Sequence, residues 1–149
     1  DIRIARDGSW YHQGSSIGRK DLVRLFSTIL RRDPDGYVLV TPAEKMRIVV
    51  EDVPFLAVLM DVEGAGAAQR LTFTTNVGDT TVAGSDNPIR VETDPVTDEP
   101  APYVHVRKGL EARISRAVFY QLADLAVMGD AGLLGVWSGG VFFPLGRPA

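Results

Sequence analysis

The sequence predicts an α+β fold made of two related halves, mainly antiparallel sheet with two principal helices. Three observations carry that expectation. Short runs rich in β-branched and aromatic residues recur along the whole chain, while only two stretches show the 3.6-residue period of an amphipathic helix. The second of those stretches also repeats the first: without a gap, Ile17 falls on Ile114, Arg19 on Arg116, Leu25 on Leu122 and Asp33 on Asp130.

In chain order, Ile2 and Ile4 alternate with Arg3, and the Asp7-Gly8 turn reverses the chain into a second strand at 10–12. A helix is expected over 18–31, because Leu22, Leu25, Phe26, Ile29 and Leu30 fall at i, i+3, i+4, i+7 and i+8. Ser15 and Ser16 offer capping oxygens, Arg31 and Arg32 suit the negative end of the macrodipole, and Asp33-Pro34-Asp35-Gly36 stops the helix. Strands at 37–41 and 46–51 flank a Pro-Ala-Glu-Lys turn, and further strands follow at 55–62, 71–75 and 80–83. The acidic, proline-rich stretch 85–102 reads as an exposed excursion around one edge strand at 89–93, before a strand at 104–107. The second helix, 115–128, stops at Gly129. Its apolar set of Val118, Phe119, Leu122, Leu125, Ala126 and Val127 is wider than one stripe, which makes it the more buried helix. Strands at 135–137 and 141–145 close the chain around Ser138-Gly139-Gly140. Each half then reads as strand, turn, strand, helix, hairpin, with the N-terminal half at 1–62 and the C-terminal half at 63–149.

Composition narrows the function classes. At 149 residues and 45% hydrophobic the chain can close a proper core. The absence of cysteine excludes disulfides, thiolate metal sites and a cysteine nucleophile, and two histidines leave little for a His-rich metal centre. The longest apolar run, 53–60, is broken by Pro54 and is less than half a membrane span. A net charge of −3 argues against nucleic acid as a partner. We therefore expect a soluble cytoplasmic protein with no membrane attachment and no cofactor; the first residue, Asp1, leaves room for an upstream segment.

Several residues are candidates for a binding site. Trp10 and His12 share one strand face, where an indole can stack on a planar group and an imidazole can bond its edge; the structural alternative makes Trp10 core and His12 its polar margin. Arg19 and Arg116 each stand in the first turn of a helix, where a cation opposes the dipole unless an anion sits nearby. That anion is either internal (Glu44, Glu51, Asp52 or Glu111) or a ligand phosphate, and Arg107 and Arg113 carry the same ambiguity. Lys45 reaches either a phosphate or Glu44, and Asn76 either bonds a ligand edge or ends a strand. Glu51 and Asp52 are adjacent on a strand, so their carboxylates do not converge by spacing alone. No Walker loop, nucleophile elbow, His-Glu-x-x-His pair or dinucleotide fingerprint is present, so catalysis has no motif to rest on.

The runs at 7–14, 17–27, 40–45, 50–55, 71–79 and 102–116 resemble the uncharacterised bacterial family called domain of unknown function 1285. The departure is the start, where that family carries a further N-terminal segment. The resemblance implies two related α+β halves, the second loosely similar to a pleckstrin-homology half-barrel, with a cleft between them that takes a small nucleotide-like ligand in a signalling context. It transfers no functional residue. The favoured reading is a regulatory module in which Trp10 stacks on a planar ligand, Arg19, Lys45, Arg107 and Arg116 contact its anion, and Asn76 and His12 bond its edges. The alternative is a protein–protein interaction domain working through sheet edges or the aromatic C-terminus (Trp137, Phe142, Phe143). A third reading is an enzyme using Glu51, Asp52 or His12.

Overall fold

The computed structural model describes residues 1–148. Strand β1 (Ile2–Ile4) turns at Asp7-Gly8 into β2 (Trp10–His12), with Ile4 opposite Trp10 and Ile2 opposite His12. A two-residue β3 (Ser15–Ser16) precedes helix α1 (Lys20–Thr28), and a meander of β4 (Leu30–Asp33), β5 (Gly36–Val40) and β6 (Lys45–Val50) follows. These strands form one sheet in the order β3-β2-β1-β6-β5-β4, antiparallel except for β1 beside β6.

The second sheet begins with β7 (Phe55–Glu63), β8 (Arg70–Thr75) and β9 (Thr80–Val82), followed by β10 (Ile89–Thr93), β11 (Pro100–Arg107) and β12 (Leu110–Ile114). Their order is β10-β11-β12-β7-β8-β9, again with a single parallel pair, β12 beside β7. The pairing of β7 with β8 and β12 takes 55–62 out of the N-terminal half expected at 1–62. Helix α2 (Arg116–Asp124) leads into a second meander, β13 (Val127–Met128), β14 (Leu134–Ser138) and β15 (Val141–Gly146). The two halves are therefore related: hairpin, nine-residue helix and three-stranded meander recur in the same order. One apolar cluster runs from Ile2 to Phe143, so the halves share a core.

Both helices are shorter than their periodicity implies. Leu30, read as the last residue of the helical stripe, is a buried strand residue opposite Leu39, and Asp33-Pro34-Asp35-Gly36 turns a hairpin instead of stopping a helix. The Ser27 and Thr28 hydroxyls donate to carbonyls three residues back, which competes with a further helical turn. Val127 and Met128 likewise leave the second helix to pair with Gly135 and Leu134. Ser15 and Ser16 pair with β2 instead of capping α1. The stretch 85–102 is a hairpin, with β10 the sheet edge and Thr93 opposite Pro100.

The helices also correct the internal alignment by one residue. Lys20 opens α1 as Arg116 opens α2, so Phe26 corresponds to Leu122 and Arg19 to Ser115. This is why Leu25 is 60% exposed while Leu122 is fully buried. The second helix is the more buried one, with Val118 and Leu122 in the core where α1 fully buries only Ser27.

Candidate functional site

A cleft of about 690 Å³ opens between the halves. Arg6 and Asp7 come from the β1–β2 turn, and Asp52 from the link into β7. Glu99 and Pro100 come from the β10–β11 hairpin, and Arg113, Ser115, Arg116, Phe119 and Tyr120 from β12 and the start of α2. The Ser115 Oγ caps α2 by accepting from the Val118 N–H at 3.3 Å. The first N–H groups of the helix have no acceptor within it and lie at the positive end of its dipole, on the cleft wall.

Three guanidinium groups belong to this cleft. The Arg6 backbone N–H donates to Glu51 Oε1 at 3.2 Å, which fixes the turn, while its side chain has no ion pair among the described residues. Arg116 likewise has none. Arg113 stands 3.7 Å from Asp52 and 5.4 Å from the Tyr103 ring centroid. Asp52 accepts the Tyr103 hydroxyl at 3.0 Å; burial, then that carboxylate, pushes the Tyr103 phenol above its ordinary range. Asp7 accepts from the Ser9 N–H at 3.0 Å, and that bond holds its carboxyl below the usual value. Two unpaired guanidiniums, a helix N-terminus, acceptor carboxylates and the Phe119 and Tyr120 rings suit a ligand that combines an anion, hydroxyl or amino donors and a planar surface.

Of the seven residues nominated as ligand contacts from sequence, Arg116 opens on this cleft, together with Arg113 and Asp52, which the sequence offered as a further cation and a candidate acid or base. Arg19 is the residue before α1 and pairs with Asp21 at 3.1 Å in open solvent. Lys45 pairs with Asp33 at 3.2 Å. Arg107 donates to the Ser27 carbonyl at 2.8 Å, faces Asp79 at 3.4 Å and lies over the Phe55 ring. The expected convergence of basic side chains on one crevice therefore does not hold for these three, because each is satisfied by nearer protein groups. Trp10 is 1% exposed and stacks on Phe26 at 6.2 Å, so it presents no face to solvent. His12 borders a separate cavity beneath α1. Asn76 clamps the halves together: it accepts from the Leu56 N–H at 3.0 Å and donates to the Gly8 carbonyl at 3.2 Å. The clamp requires glycine at 8, where φ is +87° and a Cβ would lie 2.6 Å from the Asn76 amide nitrogen. Arg6 was missed; its one sequence signal is its position just ahead of the Asp-Gly turn. Glu51, considered as an acid or base, is paired with Arg3 at 2.6 Å.

The Asp33 site yields a titration prediction. Arg47, then Lys45, holds its carboxyl down to about 2, so the charged form is favoured in the fold. Because the folded value lies below the unfolded one, the associated stability is present above the unfolded value of about 4 and is lost as pH falls through about 2. Carboxyl-carbon NMR should place its midpoint near the lower value, and Arg47→Ala should raise it. A midpoint at the ordinary value in the unaltered protein would remove the pairing.

Residues 1–53 match the model described as "Domain of unknown function (DUF1285), N-terminal domain", and residues 54–145 match "Protein of unknown function (DUF1285), C-terminal domain". The chain belongs to the DUF1285 family. A crystal structure of a DUF1285 family protein from Silicibacter pomeroyi superposes with a TM-score of 0.95 at 58% identity, covering 99% of this chain and 80% of that one. A DUF1285 family protein from Shewanella baltica gives 0.63 at 30% identity, covering 83% and 90% respectively. No curated protein matches. Among the described residues of this DUF1285 chain, no helix is long and apolar enough to cross a membrane.

Proposed function

We propose that the protein is a cytoplasmic regulatory module that binds a nucleotide-like anionic ligand between its halves, in a signalling context. The single observation that supports this is that Arg6 from one half and Arg116 from the start of α2, both without ion-pair partners among the described residues, line the same cleft. In this reading a phosphate takes the two guanidiniums and the free helix N–H groups, the ligand's hydroxyl or amino groups donate to Asp7 and Glu99, and Tyr120 supplies a planar wall.

Differential scanning fluorimetry with adenosine monophosphate, adenosine and inorganic phosphate tests this reading. The monophosphate should raise Tm and adenosine should not; Arg6→Glu and Arg116→Glu should each abolish the shift while leaving the unliganded Tm within a few degrees. If none of the three probes shifts Tm, or if either charge reversal leaves the shift intact, the cleft is no anion receptor.

A second reading, as a protein-interaction domain, has its own support. Strand β12 pairs with β7 only as far as Ala57, so among the described residues the rest of that β7 edge has no strand beside it, and Val58, Leu59 and Val62 are exposed there. The C-terminal aromatics give this reading less: Phe143 is buried and Trp137 packs edge-on against Phe142 at 5.4 Å.

A further inference from the structure

The second cavity lies wholly within the N-terminal half and arises from a mismatch of sizes. Six strands at about 4.8 Å spacing span about 24 Å. A helix of nine residues is only about 13 Å long. Helix α1 packs Phe26 over Trp10 and leaves part of the sheet face uncovered. A hollow of about 340 Å³ remains, walled by Leu22, Phe26 and Ile29 from the helix side and by Ile2, Leu39 and Met46 from the sheet. Met46 is 39% exposed, so an apolar occupant would cover surface that the fold leaves in water.

The rim is charged asymmetrically. Thr41 and Glu44 lock the β5–β6 turn, with the Thr41 N–H donating to the Glu44 carbonyl at 2.9 Å and the Glu44 N–H donating to the Thr41 Oγ1 at 3.1 Å, and this places Glu44 at the mouth. The nearby cations in sequence, Lys45 and Arg47, are both engaged by Asp33. Glu44 thus has no ion-pair partner among the described residues, and His12 is the other titratable side chain on the lining.

We propose that this cavity binds a small organic cation, an amine carried on a compact aromatic or branched aliphatic body, with the body between α1 and the sheet and the ammonium at Glu44. The match is one of charge and polarity: an apolar chamber whose lip carries one uncompensated carboxylate selects an amphipathic cation over its neutral or anionic counterpart. The inference is independent of the cleft between the halves and calls for a ligand of opposite charge.

Tryptamine, indole and indole-3-acetate carry one ring system with three charges, and calorimetric titration of each into the intact protein reads the selectivity directly. Tryptamine should bind about threefold to fivefold more tightly than indole, the range of an exposed ion pair, and indole-3-acetate should bind most weakly. Glu44→Gln, in an exposed turn, should bring tryptamine to the level of indole without changing Tm, and Met46→Trp should fill the chamber and abolish all three. Equal affinities, no binding by any probe, or tryptamine binding that survives Glu44→Gln would each overturn the assignment. So would a dimer in sedimentation velocity that Met46→Glu dissociates, since a second copy would then occupy the chamber.

Discussion

Trp10→Ala should lower the unfolding free energy by about 3 to 5 kcal/mol, the largest loss expected from any side-chain truncation in the N-terminal half. The indole is the largest fully buried side chain, sits opposite Ile4 in the β1–β2 pair and packs on Phe26, so its removal detaches α1 from the sheet. Urea denaturation followed by far-ultraviolet circular dichroism measures the change. Trp10→Phe separates packing from polarity, because the indole N–H is buried without an acceptor among the described residues. A phenyl ring gives up part of the contact but relieves that unpaired donor, so its loss should be well below that of alanine. A Trp10→Ala variant with unchanged stability would mean that the ring is not core and would restore it as a free stacking surface.

Ser138→Ala should cost about 2 to 4 kcal/mol although it removes a single oxygen atom. The Ser138 Oγ is fully buried, accepts from the Leu71 N–H at 2.9 Å and donates to the Ala83 carbonyl at 2.7 Å. It therefore ties the β13–β15 meander to the edge of the second sheet, and alanine would leave two backbone groups buried without partners. The adjoining contacts are as close: the Gly139 N–H donates to the Gln69 carbonyl at 3.2 Å, and the Gln69 amide donates to the Trp137 carbonyl at 3.0 Å. Urea titration monitored by tryptophan fluorescence reads the outcome, and a change below about 1 kcal/mol would show that the two freed groups find other partners.

Much of the fold was legible because it depends on local patterns. Alternation at Ile2 and Ile4, the Asp7-Gly8 turn and the edge strand in the acidic stretch all involve residues a few positions apart, and each forms as read. The errors fall at junctions. Leu30 satisfies the helical spacing, yet its burial against Leu39 is worth more than one further turn of a helix already challenged by Ser27 and Thr28. Periodicity could not show this, because the competing partner lies across a turn. The same holds for Val127 and Met128, which pair with β14.

The binding residues were less legible, for a related reason. Arg19, Lys45 and Arg107 were singled out as cations in informative contexts, but whether a cation is free depends on which carbonyl or carboxylate the chain brings to it. Arg107 finds the Ser27 carbonyl from the other half, and Lys45 finds Asp33 across the meander. Arg6 and Arg116 form no ion pair among the described residues although Asp7, Asp52 and Glu99 line the same cleft. Residue type and spacing were enough to specify two related α+β halves and a shared core, since hydrophobic period and turn chemistry act over short distances. Which charges remain unpaired, which polar side chains become clamps and where the sheet outgrows its helix were settled by long-range packing, because each is a property of two segments meeting in space.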